Sequence, residues 1–252
     1  MRTPRLASRI ERRLLINYRT DPGITARMVP APLRPHIVDG WAVSGICLIR
    51  LGRTRPLSAP LPFGPGSENA AHRIAVEWDT PDGVAHGVYI PRRDTGSRIN
   101  ALAGGRLFPG RHRLSRFQAH ESAAELRIAF TDPADATSVD VHVRAAPALS
   151  GSHLFPDLEQ ASEFFRRGSS GYSVTADPAR LDGVELSTPA WQVAPVELVS
   201  VRSTFFDDPL RFPPGSAELD CGLLMLDVPA VWTALPSMAV RAAGGLATVA
   251  SR

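Results

Sequence analysis

Lysine is missing from this 252-residue chain, in which all 28 basic residues are arginine. An imine needs an amine that can shed its proton, and a guanidinium stays protonated, so no side chain here can form a Schiff base. The only primary amine is the N-terminus, ahead of an arginine-rich stretch, Met1 to Arg13, that reads as a loose segment. Cysteine is nearly as scarce. Cys47 and Cys221 both sit in apolar stretches, which excludes a disulfide framework and a cysteine-based zinc site and leaves two buried free thiols. No apolar run approaches the ~20 residues that cross a bilayer, and Met1–Arg13 lacks the apolar core of a secretory signal. The expectation is a cytoplasmic protein without a membrane partner. A net charge of +3, with arginines scattered among 25 acids, also speaks against a nucleic-acid partner.

What is abundant is punctuation. With 23 prolines and 20 glycines the chain should run in short elements with many turns. Leu14–Arg19 reads as a strand, and Asp21 before Pro22 as the cap of a short helix. Trp41–Leu51 is a long apolar strand. Ala71–Trp78 and Val84–Ile90 flank Asp79–Gly83, a hairpin signal. Ser97 caps a short helix to Leu102, and Leu114–Gln118, Glu125–Thr131 and Ser138–Arg144 read as strands. In the last of these Val139, Val141 and Val143 alternate with Asp140, His142 and Arg144, so one face should be wet. Leu158–Arg167 carries Leu158, Ala161, Phe164 and Phe165 at helical spacing. Gly171–Ala176, Val184–Ser187, Trp191–Phe206 and Leu219–Asp227 complete the extended segments. The pattern predicts a sheet-rich α+β domain, mainly antiparallel, with few helices. One domain spans residues 1–240, followed by a tail over 241–252.

Ile16-Asn17-Tyr18-Arg19-Thr20-Asp21-Pro22, followed by Val29-Pro30-Ala31-Pro32-Leu33, resembles the opening of the acetoacetate decarboxylase superfamily. The closer resemblance is to its uncharacterised YqjF-like branch, the DUF2071 family. Its blocks are Tyr89–Thr95, Gly105–Gly110, Gly168–Ser173 and Val201–Phe206. The resemblance implies an antiparallel barrel or cone with peripheral helices and a central pocket. In the decarboxylases a lysine pair follows a Tyr-Pro. The nearest equivalent here is Phe108-Pro109-Gly110-Arg111, so glycine and arginine stand in the lysine positions. Their pocket arginine corresponds to Glu11, with Arg12 and Arg13 beside it, and their pocket glutamate to Glu68.

On that basis Glu68 is the candidate general acid or base, against the plainer reading of a surface-loop carboxylate. Arg92, Arg93, Arg106 and Arg111 are the candidate anion ligands; one of the Arg92–Arg93 pair reaches inward while Asp94 partners the other. Tyr172 is a candidate pocket hydroxyl. His112 and His120, eight apart, would share the face of one strand. His72 and His86, on the two arms of the hairpin, lack a third ligand and predict no metal site. No cofactor is implied, and assembly as a homo-oligomer stays open. Three functions compete: a pocket that binds a small carbonyl or carboxylate compound, a non-imine lyase or hydrolase using Glu68, and an interaction protein whose pocket is filled by side chains.

Overall fold

The computed structural model describes residues 5–58, 64–103 and 109–241; of the predicted tail, 241–252, Arg241 is described, its amide donating to the Ala31 carbonyl at 2.9 Å, and 242–252 lie outside the described residues. The chain opens with β1 (Arg5–Thr20), far longer than the Leu14–Arg19 segment expected. The arginine-rich start is not loose because it is clasped on both sides, antiparallel to β4 (Trp41–Pro56) and to β14 (Ala217–Ala239). Several of its basic side chains find acidic partners across the fold, Arg19 with Glu218 among them. Arg9 pairs with Asp227 and Arg12 with Glu68 and Glu121. The helix α1 (Pro22–Ala26) starts as the sequence predicts, with Asp21 Oδ1 accepting the Ile24 amide at 2.8 Å.

Short strands β2 (Arg34–Pro35) and β3 (Ile37–Val38) lead into β4, and β5 (Ser67–Thr80) and β6 (Gly83–Thr95) form the predicted hairpin. After α2 (Arg98–Ala103), with Ser97 Oγ accepting the Asn100 amide, the single strand expected over Leu114–Gln118 is split in two. β7 (His112–Leu114) runs parallel to β6, and β8 (Arg116–Glu121) pairs with β9 (Glu125–Thr131). The switch of partner falls at Ser115, whose hydroxyl donates to buried Asp94 at 2.8 Å. Then follow β10 (Ser138–Ala145), α3 (Leu158–Arg167), β11 (Ser170–Val174), β12 (Arg180–Ser187), β13 (Ala194–Ser203) and β14. β14 passes straight through Asp227, where the sequence reading ended it, because β1 and β12 hold its second half from either side.

Strands β1, β4, β5, β6, β11, β12 and β14 close on themselves through the β1–β14 pairing, giving a seven-stranded barrel. Every step is antiparallel except β6 to β11. From β14 the sheet branches into a wing, β13, β10, β9 and β8, that folds back over the barrel's outer face. The two-residue period of a strand therefore serves two apolar layers. Leu15, Cys47, Ile49, Ala71 and Ile90 point into the barrel, while Leu14, Ile16, Ile46, Leu48 and Ala70 point outward. The wing covers that outward face with Ile128, Phe130, Val139, Val141 and Val143. Asp140 and Arg144 lie on its exposed face as expected; His142 is buried, 3.1 Å from Glu125. Three helices occur among the described residues, and none is long and apolar enough to cross a membrane.

Candidate functional site

The barrel interior holds a cavity of about 120 Å³. Its apolar walls include Ile49, Ala71, Val88, Ile90, Val184 and Leu186, and three arginines enter it: Arg13 from β1, Arg73 from β5 and Arg93 from β6. Arg13 and Arg73 are inward by strand parity with Leu15 and Ala71, and Arg93 is inward as the direct partner of Ala71, beyond a register shift that turns β6 over between Ile90 and Arg92.

No carboxylate neutralises these cations among the described residues. Asp94 is the one acidic residue lining the cavity, and its carboxylate is taken by Arg92 and Ser115. Arg93 donates from Nε to Ser173 Oγ at 2.7 Å. Its remaining nitrogens make no hydrogen bond among the described residues, and the side chain lines the cavity. Arg73, only 3% exposed, donates to the Asn17 side chain and lies 4.7 Å from the Phe165 ring centre. Arg13 donates to Cys47 Sγ at 3.4 Å and lies over Trp191. Burial makes the charged form costly, so Arg73 and Arg93 are each pushed down to about 10. His112, at the cavity wall, is held down to about 4 by burial and then by Arg93, so it is neutral at pH 7. The site is an apolar chamber with an excess of positive charge, a setting that favours a small anion with an apolar body.

The candidates from sequence distribute unevenly around this chamber. Arg93 turns in, while Arg92 turns to the outer face and binds Asp94, Asp132 and Asp135. Burial opposes the Arg92 cation, but its bonds to Asp94 and Asp135 outweigh that and raise its pKa. Glu68 does not line the chamber. It lies on the outer face of β5, where Arg12 Nη2 reaches it at 2.5 Å and Arg50 Nε at 2.6 Å. Glu121 of the wing joins them, accepting from Arg12 and lying 2.8 Å from Arg50. One residue of register decides this, because Asn69 takes the inward position. Tyr172 also faces outward, packed edge-on against Trp78, while its neighbours Gly171 and Ser173 face the chamber. Arg111 is exposed, and Arg106 lies outside the described residues. Pro109 does line the chamber, and Gly110 (φ +84°) packs so closely that a Cβ there would stand 2.5 Å from that of Ser173.

Arg13 and Arg73 were not singled out from sequence. A signal existed for Arg73, the one charge within the apolar run Ala70–Val76, where a buried strand calls for an explanation of any cation. For Arg13 the signal was parity with Leu15.

The histidines regroup as well. His112 and His120 belong to different strands, and His120 is exposed. His72 faces outward, fully buried and stacked on Phe205 at 4.5 Å. Opposite His86 on the hairpin stands Glu77, not His72, and His36 completes a cluster with them.

Comparison with known proteins places this arrangement. A family model, DUF2071, described as an uncharacterized conserved protein, matches residues 7–218. No curated protein matches. Among solved structures, an acetoacetate decarboxylase-like enzyme from Sphingomonas wittichii RW1 superposes with a TM-score of 0.60, covering 95% of this chain and 94% of its own at 11% identity. Acetoacetate decarboxylase from Legionella pneumophila gives 0.58, with 93% and 86% covered at 12% identity. The enduracididine biosynthesis enzyme MppR, complexed with pyruvate, gives 0.58, with 95% and 91% covered at 13% identity. At these identities the likeness is one of fold.

Proposed function

We propose, for a chain that belongs to the DUF2071 family and has an acetoacetate decarboxylase-like barrel, that the chamber binds a small carboxylate compound without imine chemistry. The observation that carries this reading is the trio Arg13, Arg73 and Arg93 inside an apolar chamber with no carboxylate turned toward them among the described residues. An anion supplied from outside relieves uncompensated buried charge, and a guanidinium takes a carboxylate in bidentate fashion. The volume limits the guest. An apolar cavity of ~150 Å³ admits benzene, so a chamber of about 120 Å³ suits a molecule of roughly six non-hydrogen atoms. Short-chain aliphatic and keto acids meet both conditions, and one structural neighbour is complexed with pyruvate. The chamber also argues against a barrel filled by its own side chains.

The non-imine enzyme needs Glu68 and an arginine on one ligand atom, and Glu68 shares no wall with Arg93. Binding is therefore the reading the geometry favours. The test is a thermal-shift panel of keto acids, aliphatic carboxylates, aliphatic aldehydes and alcohols on the parent and on Arg73→Met and Arg93→Met. Carboxylates should raise the parent's Tm, aldehydes and alcohols should not, and both variants should lose the response. Borohydride added with a keto acid should leave the chain's mass unchanged. A response to uncharged compounds that survives both substitutions, or a covalent adduct, refutes the proposal.

A further inference from the structure

A second cavity, of about 440 Å³, lies between α3 and the strands β5 and β6. Its lining includes His36, His86, Glu163, Phe164 and Phe165, and it meets the barrel chamber at Val88 and Gly168. Two metal-ligating side chains, His36 and His86, stand at its wall, and the sheet brings Glu77 beside them. Glu77 and His86 are direct cross-strand partners on β5 and β6. Arg34 of β2 pairs with Glu77, and two residues on the His36 amide bonds to the Ala75 carbonyl at 2.9 Å. Ala75 and Glu77 share one face of β5, so His36 comes beside Glu77 and His86.

The ligand atoms of His36, Glu77 and His86 all lie within 4.8 Å of one another. His86 Nδ1 is 4.0 Å from Glu77 Oε2, too far for a hydrogen bond, and this buried nitrogen has no hydrogen-bond partner. The His36 and His86 rings lie 4.7 Å apart at a 32° tilt. Arg34 Nε binds Glu77 Oε1 at 2.8 Å, which leaves Oε2 turned to His86 and holds the carboxylate as a supporting residue does in a metal site. Phe164 packs on His36 from the other side, at 4.9 Å between ring centres.

We propose that His36, Glu77 and His86 form a three-ligand site for Zn2+, with the fourth position open to the cavity beneath α3. Two neutral nitrogens and one carboxylate oxygen suit a borderline cation of this kind, and three protein ligands with an open position are the pattern of a zinc ion that exchanges water or substrate. Donors about 2.0–2.1 Å from a tetrahedral zinc stand about 3.3 Å apart, so closing on the ion needs about an ångström of side-chain movement. The site is separate from the arginine chamber and stands whether or not a carboxylate binds there.

The test uses the untagged full-length chain, stripped with a chelator and titrated with Zn2+ by calorimetry, then with Co2+ while the visible spectrum is followed. The expected result is one Zn2+ per chain with a Kd in the micromolar range or tighter, and cobalt bands of a tetrahedral N/O site. His36→Gln and His86→Gln should weaken Zn2+ at least tenfold, with His120→Gln, at an exposed histidine, binding as the parent does. Absence of binding up to millimolar Zn2+, or an affinity unmoved by His36→Gln and His86→Gln in folded protein, overturns the site. If His86→Gln fails to fold, the parent stoichiometry and the partly exposed Glu77→Gln decide the question by the same criterion.

Discussion

Replacing Arg93 with methionine separates the role of a buried cation in binding from any role in folding. Burial lowers the Arg93 pKa from 12.5 to about 10. At 1.36 kcal/mol per unit that difference corresponds to about 3 kcal/mol of disfavoured charge, and roughly 2 once its partial exposure is discounted for solvent. The substitution removes that term together with the bond to Ser173, which contributes about 1 kcal/mol. The ligand-free protein should therefore gain about 1 kcal/mol, a Tm rise of about 2–4 °C for a chain of this size. Were Arg93 half of a compensated buried ion pair, its loss would instead cost about 3–5 kcal/mol. Denaturant unfolding without ligand gives the first quantity. The same experiment with a keto acid at 100 times its Kd should add about 2.7 kcal/mol to the parent and nothing to Arg93→Met. A variant that loses more than about 2 kcal/mol, or that keeps the ligand's stabilisation, refutes the reasoning.

Glu68→Gln should destabilise the protein by about 1.5–3 kcal/mol in denaturant melts, because Arg12, 1% exposed, keeps Glu121 but loses its charged bond to Glu68, yet leave the keto-acid response intact; loss of the response without loss of stability would return Glu68 to the ligand site. Ala71→Leu, which projects into the chamber, should change stability by less than about 1.5 kcal/mol and abolish binding, and calorimetry showing parental affinity would place the ligand elsewhere. His72 is held down to about 3 by burial and then by Arg92 and Arg211, against 6.5 for the ordinary side chain. The unfolded chain then binds a proton that the native state refuses, so stability is full above pH 6.5 and falls with acidification, by about 2 kcal/mol from this group at pH 5. In His72→Leu the denaturation midpoint should fall less between pH 7.5 and 5, and a fall equal to the parent's would contradict the assignment.

Much of the architecture was legible because strand and turn signals are local. The Asp79–Gly83 turn, the Asp21 cap, the Leu158–Arg167 helix and the Val139–Val143 alternation all appear where short-range chemistry puts them. The failures share a long-range cause. Arg5–Arg13 reads as loose until β4 and β14, distant in sequence, are seen to pair with it. Ser115 divides two strands only because Asp94 waits for its hydroxyl. The site was half legible for the same reason. A resemblance marks neighbourhoods such as Glu68–Asn69 and Arg92–Arg93, but which member of each pair turns inward is set by register. On these strands it is Asn69 and Arg93 that face the chamber, with Glu68 and Arg92 spent on ion pairs outside it. Arg73 and the His36–Glu77–His86 cluster depend on which strands become neighbours, and no single segment carries that information.

The most direct measurement is a crystal structure of the protein with a saturating short-chain keto acid. The account predicts the carboxylate within about 3 Å of the Arg93 guanidinium, its carbon chain against Ile90 and Val184, and a ketone carbon bonded to no nitrogen of the chain. An empty barrel at saturation, or continuous density from the ketone carbon to the protein, would contradict it.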